Sequence, residues 1–125
     1  MIEIKHLRKE YDNAKDVNCV INDGDIIAVI GPSGTGKSTL LRCINMLEKP
    51  SSGTIILDGE EITDSKCDLN KVRQKMVMVF QSFNLFEHLS VVENVMLAQV
   101  RLLKKDNQSA YDESMRLLKA VRCII

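Results

Sequence analysis

Runs of apolar residues, some alternating with polar ones and some continuous, divide the chain into predicted strands. Residues 2–7 alternate roughly between apolar and polar positions, and Val17–Ile21 repeats this pattern. Both segments are typical of strands in a small antiparallel sheet, and residues 22–25 (Asn-Asp-Gly-Asp) predict a tight turn after them. Residues 26–30 and 76–80 are apolar throughout, which is typical of strands buried on both faces of a parallel sheet.

Segments with helical spacing lie between these strands. Leu40, Ile44 and Leu47 fall at positions i, i+4 and i+7, which predicts a helix that extends to Leu47. Residues 54–57 predict a further strand, and residues 68–75 predict a short helix.

Two more helices are predicted in the last third of the chain. Ser90 and Glu93 have the spacing of a capping box, and a mostly apolar face follows over residues 92–103. Residues 109–112 are predicted to cap the last helix. Because strands alternate with helices, the pattern favours an α/β fold with a largely parallel core sheet.

Composition and charge argue against several classes of function. The 125 residues carry 17 basic and 17 acidic side chains, so there is no excess of positive charge for general binding of nucleic acid. The N-terminus lacks the apolar stretch of a signal peptide, and no apolar run approaches the ~20 residues needed to span a bilayer. The four cysteines form no CxxC pair, which is typical of reduced thiols in a cytosolic protein.

A phosphate-binding motif stands between the first continuous apolar run and the helix that follows it. Residues 31–38 fit the P-loop pattern G-x-x-x-x-G-K-[ST], and this context favours the motif over a chance match in a Gly-rich turn. Glycines let backbone N–H groups turn toward phosphates, and the N-terminus of the next helix attracts the same anion. We expect Lys37 to bind the β- and γ-phosphates, Ser38 to bind Mg²⁺ and Thr39 to contact the α-phosphate. The candidate nucleotide-binding residues here are Gly31, Ser33, Gly34, Thr35, Gly36, Lys37, Ser38 and Thr39.

The P-loop alone leaves kinases, GTPases, helicases and transporters open, and three longer stretches distinguish among them. Residues 31–45, 51–59 and 78–94 resemble, in order, the P-loop with its first helix, the next strand and turn, and the Q-loop region of ABC ATPases. The resemblance extends from residue 1 to about residue 120. Within the family, ATPases of polar amino-acid importers are the most similar, on residues 42–45, 70–74 and 83–86.

This resemblance implies a P-loop NTPase (RecA-like) core half with an N-terminal antiparallel β-subdomain. Residues 1–25 would form the antiparallel β region, and residues 26–125 would form the P-loop core through the Q-loop and the start of the helical subdomain. The implied function is that of the ATP-binding subunit of an ABC importer, which couples ATP hydrolysis to uptake of a polar amino acid. ATP and Mg²⁺ are the implied cofactors, and the implied location is cytoplasmic, peripheral on the inner face of the cell membrane.

The resemblance also implies roles outside the P-loop. Tyr11 stands where an aromatic ring stacks on adenine, and a turn tyrosine whose ring lies on the sheet is the alternative. Gln81 stands where the glutamine of the family approaches Mg²⁺ and the attacking water. Ser82–His88 correspond to the region that docks the membrane-spanning permease subunit, and a second ATPase subunit, as in a homodimer, is the other expected partner.

The chain departs from the family pattern at three places. The segment from Tyr11 to Lys15 is shorter by roughly three residues, judged by usual hairpin loop lengths, which weakens the adenine-stacking assignment. Val77 stands in place of the usual Gly, and Glu87 stands in place of the usual Pro.

Several parts of the family pattern are absent from the 125 residues. Asp58 follows an apolar run, but Gly59 directly after it predicts a turn instead of a Walker B strand. There is no L-S-G-G-Q signature, no later apolar strand ending in Asp-Glu and no switch histidine. We therefore expect a truncated chain that binds ATP and does not hydrolyse it alone.

Three other interpretations stay open from the sequence. One is a non-catalytic ATP-binding regulatory module, and another is a non-functional truncated fragment that is stable only as an oligomer. A different P-loop enzyme, such as a small kinase, would leave residues 81–94 unexplained. Because residues 26–30 and 76–80 would lack partner strands, we also expect the isolated chain to self-associate.

Overall fold

A computed structural model describes residues 1–9 and 15–123, and it divides the chain into two compact units. The first unit is Met1–Met78, and the second is Val79–Ile125. Tyr11 lies outside the described residues, as does most of the loop that follows the first strand.

An antiparallel sheet of four strands forms the frame of the first unit. The strands are β1 (Ile2–Arg8), β2 (Val17–Ile21), β3 (Ser52–Leu57) and β4 (Glu60–Glu61), in the order β2-β1-β3-β4. The predicted strands near the N-terminus and at residues 54–57 are confirmed. They belong to one sheet, because β1 pairs with β2 on one side and β3 on the other.

The turn between β3 and β4 confirms the prediction that Asp58 is a turn residue and not the acidic end of a Walker B strand. Asp58 and Gly59 both adopt positive φ angles, 48° and 84°, as the two central residues of a tight hairpin turn do. The carboxylate of Asp58 is exposed and accepts a hydrogen bond from the Met1 ammonium at 2.7 Å.

The core of the first unit lies between this sheet and two helices, α1 (Lys37–Ile44) and α2 (Leu69–Gln74). The sheet contributes alternate residues of β3 and two residues of β1 that lie three positions apart, because an irregularity separates them, while α1 contributes one buried side chain and α2 another. The buried residues of this cluster are Ile4, Leu7, Cys43, Ile55, Leu57, Ile62 and Val72. Burial of this cluster therefore holds α1, and the loop that precedes it, against the sheet.

The prediction that α1 extends to Leu47 is wrong, because the helix ends at Ile44 with Asn45 as its C-cap. Met46 adopts a left-handed φ of 61°, and a residue in this conformation just after the C-cap ends a helix. The Arg73 guanidinium takes the place of the missing donors, since it donates to the Asn45 oxygen at 3.2 Å and to the Met46 oxygen at 2.9 Å.

The two predicted buried strands, residues 26–30 and 76–80, do not form among the described residues. Several of their side chains stand in solvent: the exposed fraction is 100% for Ile26, 91% for Ile30 and 93% for Val77. A strand that is apolar on both faces is stable only with neighbours on both sides. The four strands of the described sheet pair antiparallel with one another, and neither segment is paired with any of them.

Two helices, α3 (Val91–Arg101) and α4 (Asn107–Ala120), pack together in the second unit. Between them the Gln99 amide donates to the buried Ser114 hydroxyl at 2.9 Å. The predicted capping box of α3 is confirmed in both halves (Ser90 and Glu93).

The predicted cap of α4 is wrong by one turn. Asp106 caps the helix and accepts a hydrogen bond from the Ser109 N–H at 3.0 Å, so Ser109 lies inside the first turn. An aspartate that reaches the N–H three residues ahead satisfies a helical donor that Ser109 cannot satisfy from inside the helix. Over residues 1–9 and 15–123, no helix is both long enough and apolar enough to cross a membrane.

Candidate phosphate-binding site

The predicted P-loop lies between the extended residues 26–30 and helix α1. Its path depends on two glycines with left-handed backbone angles, Gly34 (φ 79°) and Gly36 (φ 87°). Side-chain-bearing residues adopt this region at a cost of about 1–2 kcal/mol, so glycine is favoured at both positions. Gly36 is also the N-cap of α1, which places the turn directly at the start of the helix.

Internal hydrogen bonds close the loop. The Thr35 hydroxyl donates to the Pro32 carbonyl at 2.7 Å. A Cβ atom on Gly31 would lie 3.0 Å from the same hydroxyl oxygen, closer than most side chains approach one another. A glycine at this position therefore lets the loop fold tightly on itself.

The Lys37 side chain folds back across the loop. Its ammonium donates to the Gly31 carbonyl at 2.6 Å and to the Pro32 carbonyl at 2.8 Å. The charge therefore lies over the centre of the loop, although Lys37 itself belongs to the first turn of α1. An anion that enters the loop would meet this ammonium and could replace the carbonyl partners with stronger, charge-assisted hydrogen bonds.

The N-terminus of α1 has the character of an anion site. Its N-cap, Gly36, provides no side-chain hydrogen bond, and no acidic residue stands in the first turn. The other three described helices are capped by the side chains of Asp68, Ser90 and Asp106. The positive end of the helix dipole thus faces the loop without a neutralising side chain of its own. Ser38 and Thr39 follow Lys37 in the same turn, and Ser38 is exposed.

A cavity of about 360 Å³ opens beside the loop. Apolar residues form much of its lining, and the two charged residues among the described part of the lining are lysines, Lys15 and Lys37. No acidic residue of the described ranges, 1–9 and 15–123, lines it. The described lining residues are Lys15, Val17, Val29, Ile30, Gly31, Pro32, Thr35, Gly36, Lys37 and Leu40. Two cations beside a tight glycine turn, with no anion among the described lining residues, fit a phosphate group.

The structure brings together the site residues that are contiguous in sequence, Gly31–Thr39. Gln81 lies in the second unit, in an exposed bend ten residues before α3 begins. No cluster of three or more His, Cys, Asp or Glu side chains that would hold a metal ion occurs in the described parts of the chain.

Six lining residues of the cavity were not among the predicted site residues: Lys15, Val17, Val29, Ile30, Pro32 and Leu40. The last four lie within or beside the motif, whereas Lys15 and Val17 lie far from it in the sequence. Val17 is the first residue of β2, and Lys15 stands two residues before it. The one signal in the sequence was that Lys15 stands just before a predicted strand. Basic residues are common at such positions on protein surfaces.

The segment that precedes α3 presents apolar side chains at the surface of the second unit. Phe83 is 93% exposed, and Leu85 and Phe86 are also exposed. The segment is nevertheless anchored, because the Asn94 side chain accepts from the Phe86 N–H at 2.9 Å and donates to the Phe86 carbonyl at 3.2 Å. The helices of the second unit therefore leave Phe83 uncovered.

An apolar groove of about 520 Å³ lies beside this anchored segment. The Phe86 and His88 rings meet edge to face there, 5.9 Å apart between centroids. Arg101 contributes a permanent positive charge to the described lining of the groove. The groove is lined by Phe86, His88, Leu89, Leu97, Ala98, Arg101 and Leu102.

Comparison with known families and proteins gives a consistent result. A family profile described as "ABC transporter" matches residues 14–123. The chain is 45% identical over 124 residues to the arginine transport ATP-binding protein ArtM of Bacillus subtilis, and 43% identical to the glutamate/aspartate import ATP-binding protein GltL of Escherichia coli. Each match covers 97% of this chain and 52% of the relative, so the chain spans about half the length of these curated relatives.

A solved structure has the same fold. It is the dimeric, post-hydrolysis state of the ATP-binding cassette MJ0796 bound to ADP and Pi, at a TM-score of 0.82 and 32% identity. The match covers 95% of this chain and 56% of that chain. The predicted fold class, a partial P-loop NTPase cassette with an antiparallel subdomain, is confirmed by this likeness.

Proposed function

The chain belongs to the ABC transporter family, and from this premise we propose that it is the ATP-binding part of an importer subunit that couples ATP hydrolysis to uptake of a polar amino acid. The observation that carries the proposal is the closed glycine loop, with the Lys37 ammonium over it and the uncapped start of α1 behind it. The two relatives are named as ATP-binding proteins for transport of arginine and for import of glutamate and aspartate, and these names support the substrate class.

Each residue of the loop has a role that follows from its position. The backbone of Gly31, Ser33, Gly34, Thr35 and Gly36 would surround the β- and γ-phosphates of ATP. Lys37 would exchange its carbonyl partners for phosphate oxygens, and Thr39 would reach the α-phosphate.

The Ser38 hydroxyl is exposed in the first turn of α1 and is the proposed protein ligand of Mg²⁺ there. Gln81 is the proposed second group that faces the metal and orients the attacking water. When bound, Mg²⁺ would neutralise charge that develops on the phosphate oxygens. Tyr11 is the proposed platform for adenine.

The second unit supports a partner role. We propose that Ser82–His88 dock a membrane-spanning permease subunit, because Phe83 is exposed on a segment that Asn94 holds in a fixed conformation. Neighbouring exposed apolar side chains, here Phe83, Leu85 and Phe86, support an interaction surface, whereas a single one would not. A second ATPase subunit is the other proposed partner, and the site of action is the inner face of the cell membrane.

The test of the nucleotide site is calorimetric titration of the chain with Mg-ATP. We expect Lys37→Ala to abolish measurable binding, since it removes the ammonium that lies over the loop. Lys66→Ala is the matched control, because Lys66 is an exposed lysine of the same unit that does not line the cavity. Equal binding by wild type and Lys37→Ala, with circular dichroism showing both folded, would refute the proposal. A parallel assay of phosphate release separates binding from turnover.

A further inference from the structure

We propose that Lys15 is a second phosphate-binding cation of this cavity, acting opposite Lys37 on the polyphosphate chain of the nucleotide. This inference rests on the proposed nucleotide-binding function and assigns a residue that lies outside the P-loop motif.

The charge of the cavity is the first observation. Lys15 and Lys37 are the charged residues in the described part of its lining, and they come from different parts of the chain. Two positive charges therefore border one volume of about 360 Å³, and no carboxylate from the described residues lines it. Placing two cations at one cavity is favourable only when an anion, or solvent and its counterions, compensates them.

The second observation is the difference in bonding between the two lysines. The Lys37 ammonium is held by the Gly31 and Pro32 carbonyls. The Lys15 ammonium has no hydrogen bond or ion pair with any residue that the structure describes. No contact with a described residue would therefore have to break for the Lys15 ammonium to bind a ligand.

The backbone beside Lys15 is anchored, which fixes where its side chain begins. Asp16 has a left-handed φ of 52°, and its carbonyl accepts from the Asn18 amide at 3.1 Å. The Asp16 carboxylate lies 2.8 Å from His6 Nδ1 and is engaged there. Val17 begins β2 directly afterwards, opposite the buried Leu7 of β1. The nearest acidic side chain in sequence is thus bound to another partner.

The expected size of the effect is modest. Lys15 is exposed, and exposed ion pairs change affinity by up to about fivefold. We expect the loss of its charge to weaken binding about three- to fivefold, far less than the loss of Lys37. The same substitution should also reduce the dependence of affinity on salt concentration, because one fewer cation pairs with the polyphosphate.

Calorimetric titration with two probes, Mg-ATP and inorganic tripolyphosphate with Mg²⁺, tests this assignment. Lys15→Gln should weaken both probes by the same factor, whereas Lys66→Gln should leave both unchanged. Lys15→Arg keeps the charge and should bind both probes like wild type, which separates a role of charge from an effect on folding.

The outcomes discriminate between the two proposals. Tripolyphosphate binding that Lys15→Gln leaves unchanged would overturn the inference. This includes the case in which ATP alone is weakened, since Lys15 would then contact the nucleoside. If wild type binds the probes and Lys37→Ala does not, the proposed function stands whatever Lys15 does. A folded wild-type chain that binds neither probe would overturn both.

Discussion

Arg73 links helix α2 to the end of the helix that carries the P-loop, so its removal should destabilise the first unit. Its guanidinium donates to the Asn45 carbonyl at 3.2 Å and to the Met46 carbonyl at 2.9 Å, both part-buried. Hydrogen bonds from charged donors contribute about 1.5–3 kcal/mol each when buried. Because these are only partly buried and Met can fill the space of the arginine stem, we expect Arg73→Met to lower the free energy of unfolding by about 2 kcal/mol.

Urea denaturation followed by circular dichroism measures this loss, with Lys71→Met as the control. Lys71 stands on the same short helix, is exposed and also loses one positive charge on substitution. Exposed substitutions of this kind usually change stability by less than about 0.5 kcal/mol. If the two variants have the same free energy of unfolding, water hydrates the Asn45 and Met46 carbonyls as favourably as Arg73 bonds them. That result would refute the prediction.

Three further predictions concern the loop, a helix cap and the exposed apolar segments. Gly36→Ala should weaken Mg-ATP binding in calorimetry and destabilise the fold by about 1–2 kcal/mol, because φ is 87° there; unchanged affinity would contradict it. A backbone hydrogen bond from Ser90 lowers the pKa of the Glu93 carboxyl, so the cap stabilises α3 fully above the unfolded pKa and is lost as pH falls through the lower folded value. Hydrogen exchange of the first α3 amides should accelerate on acidification in wild type, and Glu93→Gln should remove this component. The exposed Ile30 and Val77 should drive concentration-dependent self-association in ultracentrifugation, which lysine at either position should reduce; a monodisperse monomer would argue against it.

Features specified by neighbouring residues were predictable from the sequence. The glycines and lysine of the P-loop, the capping box of Ser90 and Glu93, and the Asp58-Gly59 turn each depend on contacts within a few residues. The antiparallel strands were predictable for a similar reason, since alternation shows which face is buried.

The strands at residues 26–30 and 76–80 illustrate what local pattern cannot supply. A continuous apolar run indicates that burial on both faces is favourable, but burial depends on partner strands that must also be present. The described strands β1 to β4 pair only with one another, so neither segment has a neighbouring strand among them. The position of Lys15 was unpredictable for a related reason, because only the folded sheet brings the start of β2 to the wall of the cavity.

The proposed activity has two structural requirements, phosphate binding and turnover, and the P-loop and the exposed segments bear on them differently. The loop is closed by its own hydrogen bonds, from Thr35 and Lys37 to the carbonyls of Gly31 and Pro32, and α1 is fixed by the buried Cys43. Neither requires that residues 26–30 pair as a strand, so a phosphate cradle can form while the apolar segment before it is still in solvent. Turnover also needs an oriented water and further charge stabilisation, which the phosphate-binding loop alone does not supply. We therefore expect Mg-ATP binding to tolerate changes in residues 26–30, and we expect no phosphate release from the chain alone. The paired assays of binding and phosphate release are the measurement that distinguishes the two requirements.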